Sequence, residues 1–284
     1  MGTPADRASE LASLTRQIAE LPPLPRAMAE AVRLMADDDL SPRACIEAIT
    51  YDQALAVRIL RLANSAFYGA PGHVGTVSDA VRLLGLRTVT GVLSVVAMQT
   101  VLKGWHCEAF DFENYWRHSV GVAVAAKELA LRGGVDGELA FVAGLMHDVG
   151  QVAMALCQPE LAQETWQRAR SSDQPALEVE RALWSSGHDV LGSDIARHWR
   201  FPLDIVEAIA CHHLPHRAPR GPAALGQIVH VADAIAHGLD LNGDKCEAVP
   251  NVDSAAWVQW APEHDDMLLL LAKVESHAKV LAEA

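Results

Sequence analysis

The chain has 284 residues, half of them hydrophobic and only 21% charged, which is enough apolar side chain to bury a large core and excludes disorder as the main state. Lys plus Arg number 23 against 36 Asp plus Glu, and this net charge of -13, with no basic cluster, argues against duplex nucleic acid as a direct partner. The five cysteines (Cys45, Cys107, Cys157, Cys211, Cys246) form no CxxC pair, which excludes a zinc ribbon and suits free thiols in a reducing compartment.

Residues 1–20 carry mixed charge and no continuous apolar stretch, so neither a signal peptide nor a membrane anchor is expected, and the protein is expected to be cytoplasmic. Leu11, Leu14, Ile18 and Leu21 form a first helical stripe, which the Leu-Pro-Pro-Leu-Pro run at 21–25 stops because proline lacks the amide a helix interior needs. A second helix carries Met28, Val32 and Met35, and Ser41-Pro42 and Asp52 offer starts for two more. Asn64 to Gly75, with three glycines and Pro71, reads as a loop; Ser78 is expected to cap a short helix ended by Gly85, and Leu86 to Leu102 to form an apolar helix closing a first lobe. Residues 103–113 would connect to a second lobe, with helices at 114–131, 139–157, 175–184, 189–200, 202–213, 223–239 and 265–282. No run alternates with period two for long enough to argue a sheet, so the expected fold is all-α, in two helical lobes: residues 1–20 as a leading helix, 21–104 and 105–284.

The stretch Leu139 to Cys157 holds one charge, Asp148, beside His147 and Gln151, and is otherwise apolar nearly all round. Its length approaches a membrane span, but a His-Asp pair in its middle and two glycines favour the buried central helix of a soluble lobe, and no membrane partner is expected. A carboxylate buried there must be paired with a cation, richly hydrogen-bonded or bound to metal. Asp233, between His230 and His237 on another apolar helix, raises the same problem. His118 heads a stripe through Val122, Ala126 and Leu129, and His188 one through Leu191, Ile195 and Trp199. His212 and His213 close a helix, where the macrodipole alone favours histidine, yet both can reach one cluster if it lies near that helix end. Two buried acids and several buried histidines are explained together by metal or by one shared hydrogen-bond network.

These residues resemble the HD superfamily of metal-dependent phosphohydrolases, in which a histidine, a His-Asp doublet, further histidines and a final aspartate occur in that order. From Leu21 onward the chain is more specifically similar to an HDOD domain, the HD-related output domain of bacterial signalling proteins. Leu-Pro-Pro-Leu-Pro at 21–25, I-L-R-L-A-N-S-A-F-Y-G at 59–69, S-D-A-V-R-L-L-G at 78–85, Y-W-R-H-S at 115–119 and G-L-M-H-D-V-G at 144–150 carry the likeness. The second lobe is then expected to be an HD-like helical bundle.

The resemblance implies a regulatory module, here a stand-alone one, that acts through contacts with other signalling proteins, those of the cyclic-di-GMP pathway among them. It also implies a metal set, retained in such a module as a vestigial or sensory site. His118, His147, Asp148 and Asp233 would hold one ion and His188, His212 and His213 a second, with Asp148 able to bridge. Such ligands suit one or two divalent transition-metal ions, Fe, Mn, Zn or Ni. A phosphohydrolase acting on a nucleotide or cyclic dinucleotide is the rival expectation. Against it, Gln151 stands where cyclic-dinucleotide hydrolases of the superfamily commonly carry lysine, and Leu-Pro-His-Arg-Ala-Pro follows His213 in place of their Gly-Tyr-Pro segment. A metal-free helical scaffold, its buried acids satisfied by arginines or backbone donors, is a third. Asn64, Ser65, Phe67 and Tyr68, within the family motif and beside a glycine-rich loop, are a candidate partner surface, with plain loop packing as the alternative.

Overall fold

The structure, a computed structural model, describes residues 43–51, 53–64, 74–86, 88–89, 92–93, 110–172, 174–217, 224–241 and 250–282. The expected N-terminal helix of 1–20, the proline run at 21–25, all of 65–73 and most of 86–102 and 103–113 lie outside these residues. Among the described residues every regular element is helical, and the fold is all-α.

Of the first lobe, helices α1 (Arg43–Thr50), α2 (Gln53–Ala63) and α3 (Val77–Leu84) pack on one another. The cap of α3 differs from expectation: it is Thr76, whose extended backbone lets its Oγ1 accept the Asp79 amide at 3.1 Å, while Ser78 lies within the helix. Gly85 ends α3 at φ 77°, a conformation that favours glycine.

The second lobe is built around α4 (Phe112–Arg132), capped by Asp111 and buried along most of its length. It packs against α5 (Gly137–Met146), against α11 (Ala224–Gly238) and against α13 (His264–Ala282). On the other side of the site, α6 (Val149–Cys157) packs on α9 (His188–His198), and α9 on α10 (Leu203–Cys211). Between them run α7 (Pro159–Ser172) and α8 (Ala176–Trp184); α12 (Ser254–Trp260) lies against α11. Neither α7 nor α12 was expected from the sequence. The polar stretch of α7 buries only Ala162, Thr165 and Ala169, and α12 only Ala256, so neither carries a conspicuous apolar stripe.

The expected single helix 139–157 is a pair. The chain leaves the regular helix at His147-Asp148, where the Gln151 amide donates to the Asp148 carbonyl at 2.9 Å in a tight i to i+3 turn, and resumes as α6. By length and composition Gly137–Cys157 is apolar enough to cross a membrane, but 89% of its most apolar 18-residue window is buried inside the protein, as a core segment is.

Two glycines of the doublet motif set how closely its neighbours approach. A Cβ on Gly144 would lie 2.9 Å from the Ala123 Cα and the Val122 carbonyl oxygen of α4, and one on Gly150 would lie 2.0 Å from the His188 carbonyl oxygen. Glycine is thus required where the doublet meets α4 on one side and α9 on the other.

Candidate metal centre

All seven candidate ligands lie together in the second lobe, supplied by helix interiors, a helix break, a helix start and a turn. His118 projects from the middle of α4 and Asp233 from the middle of α11. His147 and Asp148 sit in the break between α5 and α6. His188 is the first residue of α9, and far from being an exposed helix start it is 2% exposed. His212 and His213 lie in the turn after α10, and His212 keeps helical backbone angles. Two groups result, each able to converge on one ion: His118, His147 and Asp233; and Asp148, His188, His212 and His213.

Asp148 stands between the groups with one oxygen toward each. Its Oδ2 lies 3.3 Å from His147 Nε2 and 3.9 Å from His118 Nε2. Its Oδ1 lies 3.2 Å from His188 Nε2 and 3.6 Å from His212 Nε2. Across the first group, His118 Nε2 is 3.3 Å from His147 Nε2 and 3.1 Å from Asp233 Oδ1. Across the second, His188 Nε2 and His213 Nε2 are 2.8 Å apart.

The outer nitrogens explain which atoms face inward. His147 Nδ1 donates to the Gly144 carbonyl at 2.8 Å, His212 Nδ1 to the Ile209 carbonyl at 2.7 Å, and His188 Nδ1 to Glu180 Oε2 at 2.7 Å. With the proton held on Nδ1, each neutral ring turns an Nε2 lone pair to the centre, the arrangement metal-ligating histidines use. Lone pairs that close require a proton or a cation between them. His212 Nε2 is moreover buried without a hydrogen-bond partner, and Asp233 Oδ1, although 3.1 Å from His118 Nε2 and 3.2 Å from His237 Nε2, meets neither ring in good hydrogen-bond geometry. A buried acceptor left so is costly, and a bound cation would satisfy both atoms. The donor set therefore fits a transition metal better than it fits a closed hydrogen-bond network.

Acids and rings answer one another's charge across the cluster. Burial opposes ionisation of Asp148 and Asp233, yet His147 and His188 hold the first, and His237 and His118 the second, well below the carboxylate range. Burial likewise works against charge on His147 and His188, but the carboxylates of Asp148 beside both and of Glu180 beside the second keep these rings above the ordinary histidine value. His213 is pushed well below it by burial and by its neighbours His212 and His188.

The roles of Glu180, His237 and Gln151 escape the sequence reading. Glu180 is fully buried on α8 against His188; its place beside Leu177, Leu183 and Trp184 on one helix face is the same sign, an acid on an apolar stripe, that marked Asp148 and Asp233. His237 lies one turn after Asp233, with its Nε2 3.2 Å from Asp233 Oδ1 and its ring 4.5 Å from that of His118. His230 does not face the cluster: its Nδ1 donates to the His212 carbonyl at 2.6 Å, and its Nε2 accepts the Asp253 amide at 2.8 Å. Gln151 spends its amide on Asp148 Oδ2 at 2.8 Å.

Of the candidate partner surface, Ser65, Phe67 and Tyr68 lie outside the described residues. Asn64 donates to the Leu60 and Val74 carbonyls at 2.9 and 2.8 Å and accepts the Val74 amide at 3.0 Å, so its side chain ties together the two ends of the 64–75 segment.

An all-helical HD-type bundle with a paired histidine-aspartate cluster defines the class, and the chain belongs to the HDOD family, whose model matches residues 21–215. It is 27% identical over 232 residues to an uncharacterized protein of Treponema pallidum; that match takes in 81% of this chain but only 44% of the relative. A Shewanella amazonensis SB2B structure named "Putative phosphohydrolase" is 27% identical and superimposes with a TM-score of 0.71, covering 95% of this chain and 98% of that one. An HDOD domain protein of unknown function from Geobacter sulfurreducens, 24% identical, shares the fold at a TM-score of 0.75 over 98% of this chain and 97% of its own.

Proposed function

We propose that the protein is a cytoplasmic regulatory module whose cluster holds one or two divalent transition-metal ions, Fe, Mn, Zn or Ni, and which acts by contacting other signalling proteins. Proteins of the cyclic-di-GMP pathway are the first partners to try, with the 64–75 segment as the contact. The observation that carries the metal reading is Asp148, whose two oxygens address two separate groups of inward-facing Nε2 atoms. Binding is favoured over catalysis because Gln151 supplies no cation and is engaged in holding Asp148. Elemental analysis of protein purified without chelator tests this: one or two transition-metal ions per chain are expected, and none in a folded Asp148→Ala protein. A metal-free, well-folded wild type would leave the histidines as core polar residues and overturn the reading.

A second reading, a metal-dependent phosphohydrolase, is favoured by the presence of all seven ligands together and by the name of the Shewanella relative. A metal pair would supply Lewis acidity and an activated water. The side chains here would hold the ions and, through Gln151, fix the angle of Asp148. Turnover of cyclic-di-GMP or bis(p-nitrophenyl) phosphate by wild type, lost in folded Asp148→Ala, would establish it; absence of turnover in metal-loaded protein would leave the binding module.

A further inference from the structure

Glu180 is a buried carboxylate whose partners are those of a single residue. Its Oε2 accepts both the His188 backbone amide at 2.8 Å and His188 Nδ1 at 2.7 Å, and its Oε1 is buried with no hydrogen-bond partner. The neighbouring Arg181 does not neutralise it, since its guanidinium is spent on Asp189 at 3.0 Å. A carboxylate removed from water costs several kcal/mol unless a positive charge answers it. Among the described residues, charge reaches Glu180 through the His188 ring, whose Nε2 faces Asp148, His212 and His213.

The other ring nitrogens with an outer partner rest on backbone carbonyls, of Gly144 for His147 and of Ile209 for His212. A neutral carbonyl fixes a tautomer; a carboxylate also makes the imidazole a stronger donor. We propose that Glu180 is a positioning residue for the metal of the second group alone, orienting His188 and strengthening its Nε2 as a ligand while leaving the group of His118, His147 and Asp233 untouched. This rests on the metal reading above.

A merely structural role, joining α8 to the first turn of α9, would be kept by Glu180→Gln, whose amide oxygen still accepts from His188 but carries no charge. The full chain is stripped of metal and titrated with Co²⁺, followed by its visible absorption, in two backgrounds: His118→Ala, which disables the first group, and His212→Ala, which disables the second. With Glu180→Gln added, Co²⁺ affinity is expected to fall about 10- to 100-fold in the His118→Ala background and to hold steady in the His212→Ala background, with the melting temperature of the metal-free protein little changed. Equal affinity with and without the charge in the His118→Ala background overturns the proposal, as does an equal loss in both backgrounds. A wild type that takes up no Co²⁺ overturns the metal reading and this inference with it. If Glu180→Gln fails to fold, Glu180→Asp, which keeps the charge, is the second variant: Co²⁺ affinity of the second group within a few-fold of the parent supports the charge, and a loss as large as that of His188→Ala overturns it.

Discussion

The two ligand groups meet at Asp148 but are made from different parts of helices. His118 and Asp233 project from the middles of α4 and α11, and the group they form with His147 is enclosed. His188 begins α9, and His212 and His213 follow α10, so the second group is assembled from helix ends, and one of its rings, that of His213, is only partly buried. Helix middles are fixed by the packing of the whole bundle, whereas helix ends depend on caps, turns and single hydrogen bonds. The first group should therefore resist local changes that disturb the second, and a ligand arriving from solvent meets His213 first.

The largest expected effect removes the comparison altogether. Because Asp148 serves both groups, Asp148→Ala should abolish both metals, whereas His118→Ala should cost one and His188→Ala the other; metal-to-protein ratios by elemental analysis check this. Loss of both ions in His118→Ala would show that the cluster is one site rather than two.

The glycines beside the doublet probe each group separately. A methyl at Gly150 meets the His188 carbonyl at 2.0 Å with backbone on the far side, so Gly150→Ala should part α6 from α9, cost about 3 kcal/mol in chemical denaturation and weaken the second group. Gly144→Ala presses on α4 at 2.9 Å, a milder contact, and should cost less while weakening the first group. Reversal of that order would mean that the helix-end group is the more rigid of the two.

Legibility in the sequence follows the same division. His118 and Asp233 stand out because helical periodicity sets a polar side chain on a stripe of apolar ones. Periodicity also set His188 on a stripe through Leu191, Ile195 and Trp199, with an exposed helix start beside Gly187 as the alternative, and its burial decides between them. The break at His147-Asp148 was not legible: apolar residues continue on both sides, and the change is one backbone turn at Asp148, φ -99° and ψ 14°, with no proline to mark it. Glu180 was legible in principle from its apolar helix face, but its meaning depends on α8 packing beside the start of α9, which is a tertiary fact. The cap of α3 fell to Thr76 rather than Ser78 for a local reason, since both hydroxyls suit the role and only the backbone angles choose between them.

His230 tests whether the second group depends on its outer contacts. It joins the carbonyl of His212 to the amide of Asp253, and Asp253 in turn caps α12 by accepting from Ala255 and Ala256 at 2.9 and 3.0 Å. His230→Ala leaves a buried carbonyl without its donor and should cost about 2 kcal/mol, seen as a lower midpoint in denaturant, with increased hydrogen exchange in α12. Metal in the first group should be unaffected.

The smallest effect is assigned to Gln151, which touches the shared ligand without belonging to either group. Its Nε2 holds Asp148 by Oδ2, the oxygen directed to the first group, so Gln151→Ala should loosen that oxygen more than Oδ1 and lower affinity at the first group by about tenfold, with little change at the second. Metal competition with a chelator in the His118→Ala and His212→Ala backgrounds reads the two affinities separately. If the second group weakens instead, Asp148 pivots as a unit, and the two oxygens do not act as independent ligands.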